Sequence, residues 1–347
     1  MPTTLWYSRC PVATASGIAY QRGLFDAEFD GSDYEVRNLK DLGREKANIH
    51  FTGAHDNSFR EGGFIPPLWA RQNGSETTVI GFTFVAETLR FYVRPDSGIN
   101  SFADLKGKRI GLPVRPKLEI DFMHVNAHKA FWGALQEHGM TEADVQMTDI
   151  EIGDDVLGTV NADYGQGDER TVPPLYAGEI DALLAGDCDV VFAKNAEALY
   201  TEHVYDGQIK MIYDLMTSEK TEFKCNANPR PITVSSVTIA ENPEAVIRYL
   251  QVLIRGAGYA ADNRQGAAET MAPELGVQVD DILNAYEADF NTNLWPTLDD
   301  RIIGLANSFM EFMVEKGYLS DQVKLEGWVD PEPLCEAYRR EGIAYAA

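Results

Sequence analysis

The amino-acid sequence predicts a two-lobed α/β fold, and three observations lead there. Short apolar runs alternate with longer stretches of helical periodicity, the order that gives mostly parallel sheets flanked by helices. The chain has 347 residues and is 44% apolar, enough for a large core and, at roughly 150 residues per domain, for two domains. Segments near residues 91–97 and 229–236 read as crossings between lobes, so that 1–94 with 233–347 form a discontinuous first lobe and 95–232 the second. Such a layout places a ligand in the cleft between them.

Thr4–Ser8 reads as the first strand, Pro11–Arg22 as a helix, and Asn48–Thr52 and Thr78–Phe84 as further strands. The run LKGKRIGL at Leu105–Leu112 is a helix end, a turn and a new strand. In the second lobe Ile120–Gly139 and Leu175–Gly186 have helical patterns, whereas Val190–Ala193 and Ile209–Leu215 are short apolar strands. Asn161–Pro174, with mixed charge and several Gly and Pro residues, reads as a surface loop. The run ITVSSVTI from Ile232 reads as a strand, and Asn242-Pro243 as an N-cap with proline at the first helical position, opening a helix to about Ala261. Ile302, Leu305, Phe309, Phe312 and Met313 fall at helical spacing, and Gly317 supplies the stop.

Charge narrows the function. Lys and Arg total 30 against 54 for Asp and Glu, a net charge of −24, so the surface repels phosphate backbones and anionic lipid. Nucleic acid and membrane are excluded as expected partners, and a small anionic ligand needs its own local cation. The N-terminus has no basic stretch followed by an apolar segment, so a cytoplasmic location is expected. Four scattered cysteines, Cys10, Cys188, Cys225 and Cys335, show no CxxC spacing and are expected to stay free.

Cys10 lies where the first strand meets the first helix, just before Pro11, and reads as the N-cap of that helix. In an open α/β sheet this edge borders the ligand crevice, and a helix dipole there favours a thiolate. An inert buried thiol is the plain alternative. His50, at the end of the strand NIHFT, can reach the same edge and relay a proton; His55 on the following loop competes with it. Arg60-Glu61-Gly62-Gly63 then precedes a helix with prolines in its first turn, leaving backbone N–H groups open to an anionic oxygen beside a fork-shaped cation. His124 and His128, at i and i+4, lack both a third ligand and an HExxH pattern, so no metal is expected. Gly165-Gln166-Gly167 lacks the rest of a dinucleotide fingerprint, and neither GxxxxGK[ST] nor GxSxG occurs.

These segments together resemble the 2′-hydroxybiphenyl-2-sulfinate desulfinase family of bacterial dibenzothiophene desulfurisation. The resemblance rests on Tyr7-Ser8-x-Cys10-Pro11-Val12, His50-Phe51-Thr52 and Arg60-x-Gly62-Gly63-x-Ile65-Pro66-Pro67-Leu68. It continues through Val93-Arg94-x-Asp96-Ser97, Asp104-Leu105-x-Gly107-x-Arg109-Ile110-Gly111, Thr233-Val234-Ser235-Ser236, Leu275-Gly276-Val277 and Ala288-Asp289-Phe290, in the same order. It implies a type II periplasmic-binding-protein-like fold with the ligand in the interlobe cleft. It also implies a monomeric, cofactor-free hydrolase that releases sulfite from an aromatic sulfinate. By the same resemblance Cys10 is the essential thiol, His50 its partner, Arg60 with the Gly62-Gly63 backbone the sulfinate clamp, and Ser8 a neighbour of the thiol. Arg9 stands where the family has asparagine and is expected to add a second cation; Gly53 stands where it has an aromatic residue; residues 113–185 match poorly. The alternatives are a cytosolic solute-binding protein for a small anionic or aromatic ligand, and another cysteine-dependent lyase or decarboxylase on this scaffold.

Overall fold

The computed structural model describes residues 2–42, 49–53, 55–154, 156, 170 and 172–345. The chain forms two compact units: residues 1–85, 227–275 and 289–347 make the first, residues 86–226 and 276–288 the second. The divisions fall ahead of the expected ones because the strand Leu89–Val93 pairs with strands of the second unit. The excursion of 276–288 into that unit has no signal in the sequence pattern.

The first unit is built on a five-stranded sheet of β1 (Thr3–Arg9), β2 (Tyr34–Asn38), β3 (Ser58–Glu61), β4 (Thr77–Thr83) and a late strand, Arg230–Ser235. The order is β2-β1-β3, then the late strand, then β4; β1 runs parallel to both its neighbours and the late strand antiparallel to both of its own. Aromatic packing fixes the core: Phe59 stacks on Tyr249 with ring centroids 3.9 Å apart, and Phe25 lies 4.9 Å from the same ring. Tyr249 comes from the helix Pro243–Asp262, which closes tightly on the helix Ala15–Gln21. A Cβ at Gly256 would stand 3.0 Å from Ala15 O, so glycine sets how closely the two helices approach.

In the second unit β5 (Leu89–Val93) lies antiparallel between Val191–Lys194 and Lys210–Asp214, while Arg109–Val114 pairs in parallel with Gln146–Glu151. Its core gathers Phe91, Phe102, Phe131 and Phe192. No helix is long and apolar enough to cross a membrane, among the described residues.

Four sequence expectations are corrected. Ile49–Thr52 is a helical turn, not a strand: both edges of β1 are already taken by β2 and β3, and Gly53 ends the turn with φ 62° and its N–H on Ile49 O at 2.8 Å. The first helix begins at Ala15, and Thr14 caps it by accepting from Gly17 N at 3.0 Å, so Cys10 is not the N-cap. The strand from Arg230 stops at Ser235, and Ser236–Glu241 is helical. Asn242 precedes its helix as expected, but its side chain makes no cap; Tyr34 donates to its Oδ1 at 3.2 Å instead. Most of Asn161–Pro174, including Gly165-Gln166-Gly167, lies outside the described residues.

Candidate active site

The three residues singled out most strongly in the sequence meet at one sulfur. β1 and β3 are parallel neighbours with Arg9 opposite Glu61, so the chain leaving β1 at Cys10 passes the Gly62-Gly63 turn that leaves β3. Cys10 N donates to Glu61 O at 3.1 Å, and Val12 N folds back on Cys10 O at 2.8 Å. Gly62 is required here: a Cβ would lie 2.4 Å from Cys10 Sγ, inside any tolerable contact. The missing side chain at residue 62 is the space the thiol occupies.

His50 Nε2 stands 3.3 Å from Cys10 Sγ, and His50 Nδ1 stands 3.2 Å from Ser8 Oγ. Ser8 has one hydroxyl proton, which it donates to Phe59 O at 3.3 Å. With the proton so placed its oxygen accepts toward Nδ1, an arrangement that fits a ring proton on Nδ1. Nε2 is then the nitrogen that shares a proton with the thiol. Ser8, given only a secondary place by the sequence, is the side chain that contacts the other ring nitrogen of His50. His55 is turned elsewhere, its ring edge-on to Trp6.

Arg60 is buried and braced by the main chain. Nε donates to His50 O at 2.8 Å, and Nη2 to Gly63 O at 2.9 Å, with Sγ of Cys10 3.7 Å away. Gly63 N donates to Sγ at 3.3 Å. Nη1 of Arg60 is buried with no hydrogen-bond partner, and Arg60 makes no ion pair among the described residues. Burial lowers its pKa from the usual value, and only the nearby Cys10 sulfur works against that. A buried guanidinium with no carboxylate partner among the described residues and one idle N–H has the chemistry to bind an anion.

Arg9 does not add a second cation to the site. Its guanidinium is buried in an ion pair with Glu274, and its Nη1 donates to Cys10 O at 3.2 Å, so it holds the main chain of the thiol. Gly53, with a positive φ and Thr77 Cγ2 3.0 Å from where a Cβ would stand, has no room for a larger residue. His124 and His128 have protein partners: Pro113 O at 3.0 Å and Glu142 Oε1 at 2.8 Å. One functional-looking residue was missed, Glu61, which is wholly buried beside Arg60.

A family model described as NMT1/THI5 like matches residues 66–267, more than half of the chain. The chain belongs to the NMT1/THI5-like family. Within reach of this NMT1/THI5-like chain is the 2′-hydroxybiphenyl-2-sulfinate desulfinase of Rhodococcus erythropolis, 27% identical over 97% of this chain and 94% of that one. Among solved structures, the desulfurization enzyme DSZB, as a cysteine-to-serine variant in complex with biphenyl-2-sulfinic acid, superposes with a TM-score of 0.78 at 24% identity, over 98% of this chain and all of the other (100%). The periplasmic sulfonate-binding protein SsuA from Methylobacillus flagellatus KT follows at TM-score 0.68 and 14% identity, over 99% and 95%. The fold is therefore the periplasmic-binding-protein-like α/β fold that the sequence predicts.

Proposed function

We propose that this protein is an aryl sulfinate desulfinase in which Cys10 supplies the reacting thiol. The observation that carries the reading is the convergence on Cys10 Sγ of His50 Nε2 and Gly63 N, each at 3.3 Å, beside a buried Arg60 with an idle N–H. A protein that only holds a small anion needs Arg60 and Gly63, but has no use for a thiol in hydrogen-bond reach of a histidine. The similarity to a desulfinase along almost the whole chain supports an aryl sulfinate as the substrate class.

In this reading the sulfinate oxygens bind Nη1 of Arg60 and the Gly63 N–H. The bond between the ipso carbon and sulfur breaks, the carbon takes a proton, and the sulfur departs as SO2, which adds water to become sulfite. Cys10 donates that proton, and His50 returns one to the sulfur from solvent. The alternative, attack of a Cys10 thiolate on sulfur through a thiosulfonate-like adduct, needs a force that holds a resting thiolate. The helix dipole is spent elsewhere, because the helix starts at Ala15 and its first N–H groups are bound to Glu61, but the Gly63 N–H and the Arg60 guanidinium both reach Sγ, so the choice between the two routes falls to the test below. The reaction needs no cofactor, and the protein is read as a cytoplasmic monomer.

The test is sulfite release from a panel of aryl and alkyl sulfinates by wild type and Cys10→Ser. Wild type is expected to release sulfite from aryl members, and the serine variant to lose turnover by about a thousandfold or more while still binding. No sulfite from any sulfinate, or equal rates, would overturn the reading. Rapid-quench mass spectrometry separates the two routes: proton donation leaves Cys10 at its native mass, and a covalent adduct on Cys10 establishes attack on sulfur.

A further inference from the structure

Two residues of the first unit break local rules, and both lead to the residue before the thiol. Gly17 lies inside the helix Ala15–Gln21, where glycine is costlier than alanine. Glu274 lies in the last turn of the helix Arg264–Leu275, where the helix dipole favours a cation over a carboxylate. Arg9 accounts for the two together. Its guanidinium pairs with the Glu274 carboxylate, and both side chains are buried. A Cβ at residue 17 would stand 2.9 Å from Glu274 Oε2 and 3.4 Å from Arg9 Cδ, besides 2.8 Å from the capping Thr14 Oγ1, so glycine leaves the space in which the pair sits. The other arm of the guanidinium, Nη1, donates to Cys10 O at 3.2 Å, the same oxygen that takes Val12 N at 2.8 Å.

We propose that Arg9 and Glu274 are positioning residues that hold the Cys10 main chain so that its sulfur stays within reach of His50 and the Gly63 N–H. The inference deepens the desulfinase reading and rests on its assignment of Cys10 as the reacting group. Stability is a poor reason for such a pair, because two charges taken out of water lose in solvation much of what they gain from each other, and apolar residues of similar volume often serve as well. An apolar pair would not supply a donor to the carbonyl of residue 10. Cys10 is thus tied at both ends: its N–H to Glu61 O in β3 at 3.1 Å, and its carbonyl, through Arg9, to the helix Arg264–Leu275. The sulfur carried between those ties has His50 Nε2 and Gly63 N at 3.3 Å each. Misplacing a reacting group by about 1 Å can cost about a hundredfold in rate, so a tether on the peptide of the reacting residue acts directly on turnover.

The test is the double replacement Arg9→Met with Glu274→Leu, which removes the donor and leaves no buried charge behind. Residue-resolved hydrogen–deuterium exchange is read at the amides of Cys10, Val12 and Gly63, with Trp6, bonded to Asn57 O earlier in β1, as the control. The three amides are expected to exchange about tenfold faster or more, while Trp6 and the melting temperature hold. On a sulfinate substrate kcat is expected to fall roughly tenfold to a hundredfold with KM near the wild-type value, because Arg60 is untouched. A purely structural pair would leave the three amides unchanged, or raise their exchange and that of Trp6 by one common factor, and either result overturns the proposal. Faster exchange at the three amides with kcat unchanged overturns it as well. If the double variant does not fold, Arg9→Lys decides: its single ammonium still neutralises Glu274 but gives up the second donor, and the same amides are expected to exchange faster by a smaller factor, unchanged rates overturning the proposal. No sulfinate enters the exchange measurement. Failure to find a sulfinate substrate and failure of this inference are therefore separate results.

Discussion

Arg60 in the first unit and Arg115 in the second are both buried arginines close to the end of a strand, and they are partnered in opposite ways. Arg115 is saturated: Nε and Nη2 hold Asp154 at 2.7 and 2.9 Å, while Nη1 and Nη2 hold Glu179 at 3.0 and 3.1 Å. Arg60 is held by main-chain carbonyls and the Cys10 sulfur, with no carboxylate among the described residues, and keeps one nitrogen idle. The two environments push the guanidinium in opposite directions, with Asp154 and Glu179 outweighing burial to raise the Arg115 pKa and burial lowering that of Arg60. A buried cation with its counter-charges in place belongs to the architecture. One buried without them fits the anion-binding role proposed for Arg60.

The contrast can be broken at either arginine, and a third buried cation, Lys129, sharpens it. The largest effect is expected from Glu179→Ala, which strips one carboxylate from Arg115 and should cost about 3–5 kcal/mol of unfolding free energy in urea. Cys10 alkylation in the folded protein should not change; if it does, the second unit is not merely architectural. Arg60→Ala is expected to lose roughly 2–5 kcal/mol of sulfinate binding, seen as a rise in KM. A fall confined to kcat would contradict a clamp and place Arg60 in the proton chemistry. The smallest effect appears only with pH. Lys129 in the second unit is buried, its Nζ on Glu222 O at 3.1 Å and 4.4 Å from the Trp132 ring centroid, and burial lowers its pKa to about 8. Between there and the usual lysine range the unfolded chain holds a proton that the folded chain does not, so this residue adds stability as pH rises, by up to about 3 kcal/mol. Lys129→Met should flatten that rise in unfolding free energy between pH 8 and 10; parallel curves for the two proteins would show that the ammonium keeps its proton.

Much of this was legible in the sequence, because it depends on local pattern. β1, β4 and the long helices follow from apolar spacing, and Cys10, His50 and Arg60-x-Gly-Gly from residue types that concentrate chemistry. The helix start was misread because Pro11 mimics a first-turn proline, whereas Thr14 has the hydroxyl that caps. The turn of His50 was misread because four residues do not separate a strand period from a helical one; sheet order decided it. Glu61 escaped notice because its partners, Ser16 and Thr83, are remote in sequence and meet it only once β1, β3 and β4 share a sheet. The one available signal was an acid in a strand whose neighbour at i−2, Phe59, is a core aromatic.

The backbone wall that Gly62 presents to Cys10 has a stereochemical consequence. With main chain filling one side of the sulfur, a substrate has no approach to the thiol from that side. A sulfinate is pyramidal at sulfur, and in solution its two oxygens are mirror images of each other. In the binding proposed above they would become distinguishable, one turned toward the guanidinium and the other toward the main-chain N–H, so an achiral substrate would be held with a handedness that the protein alone supplies.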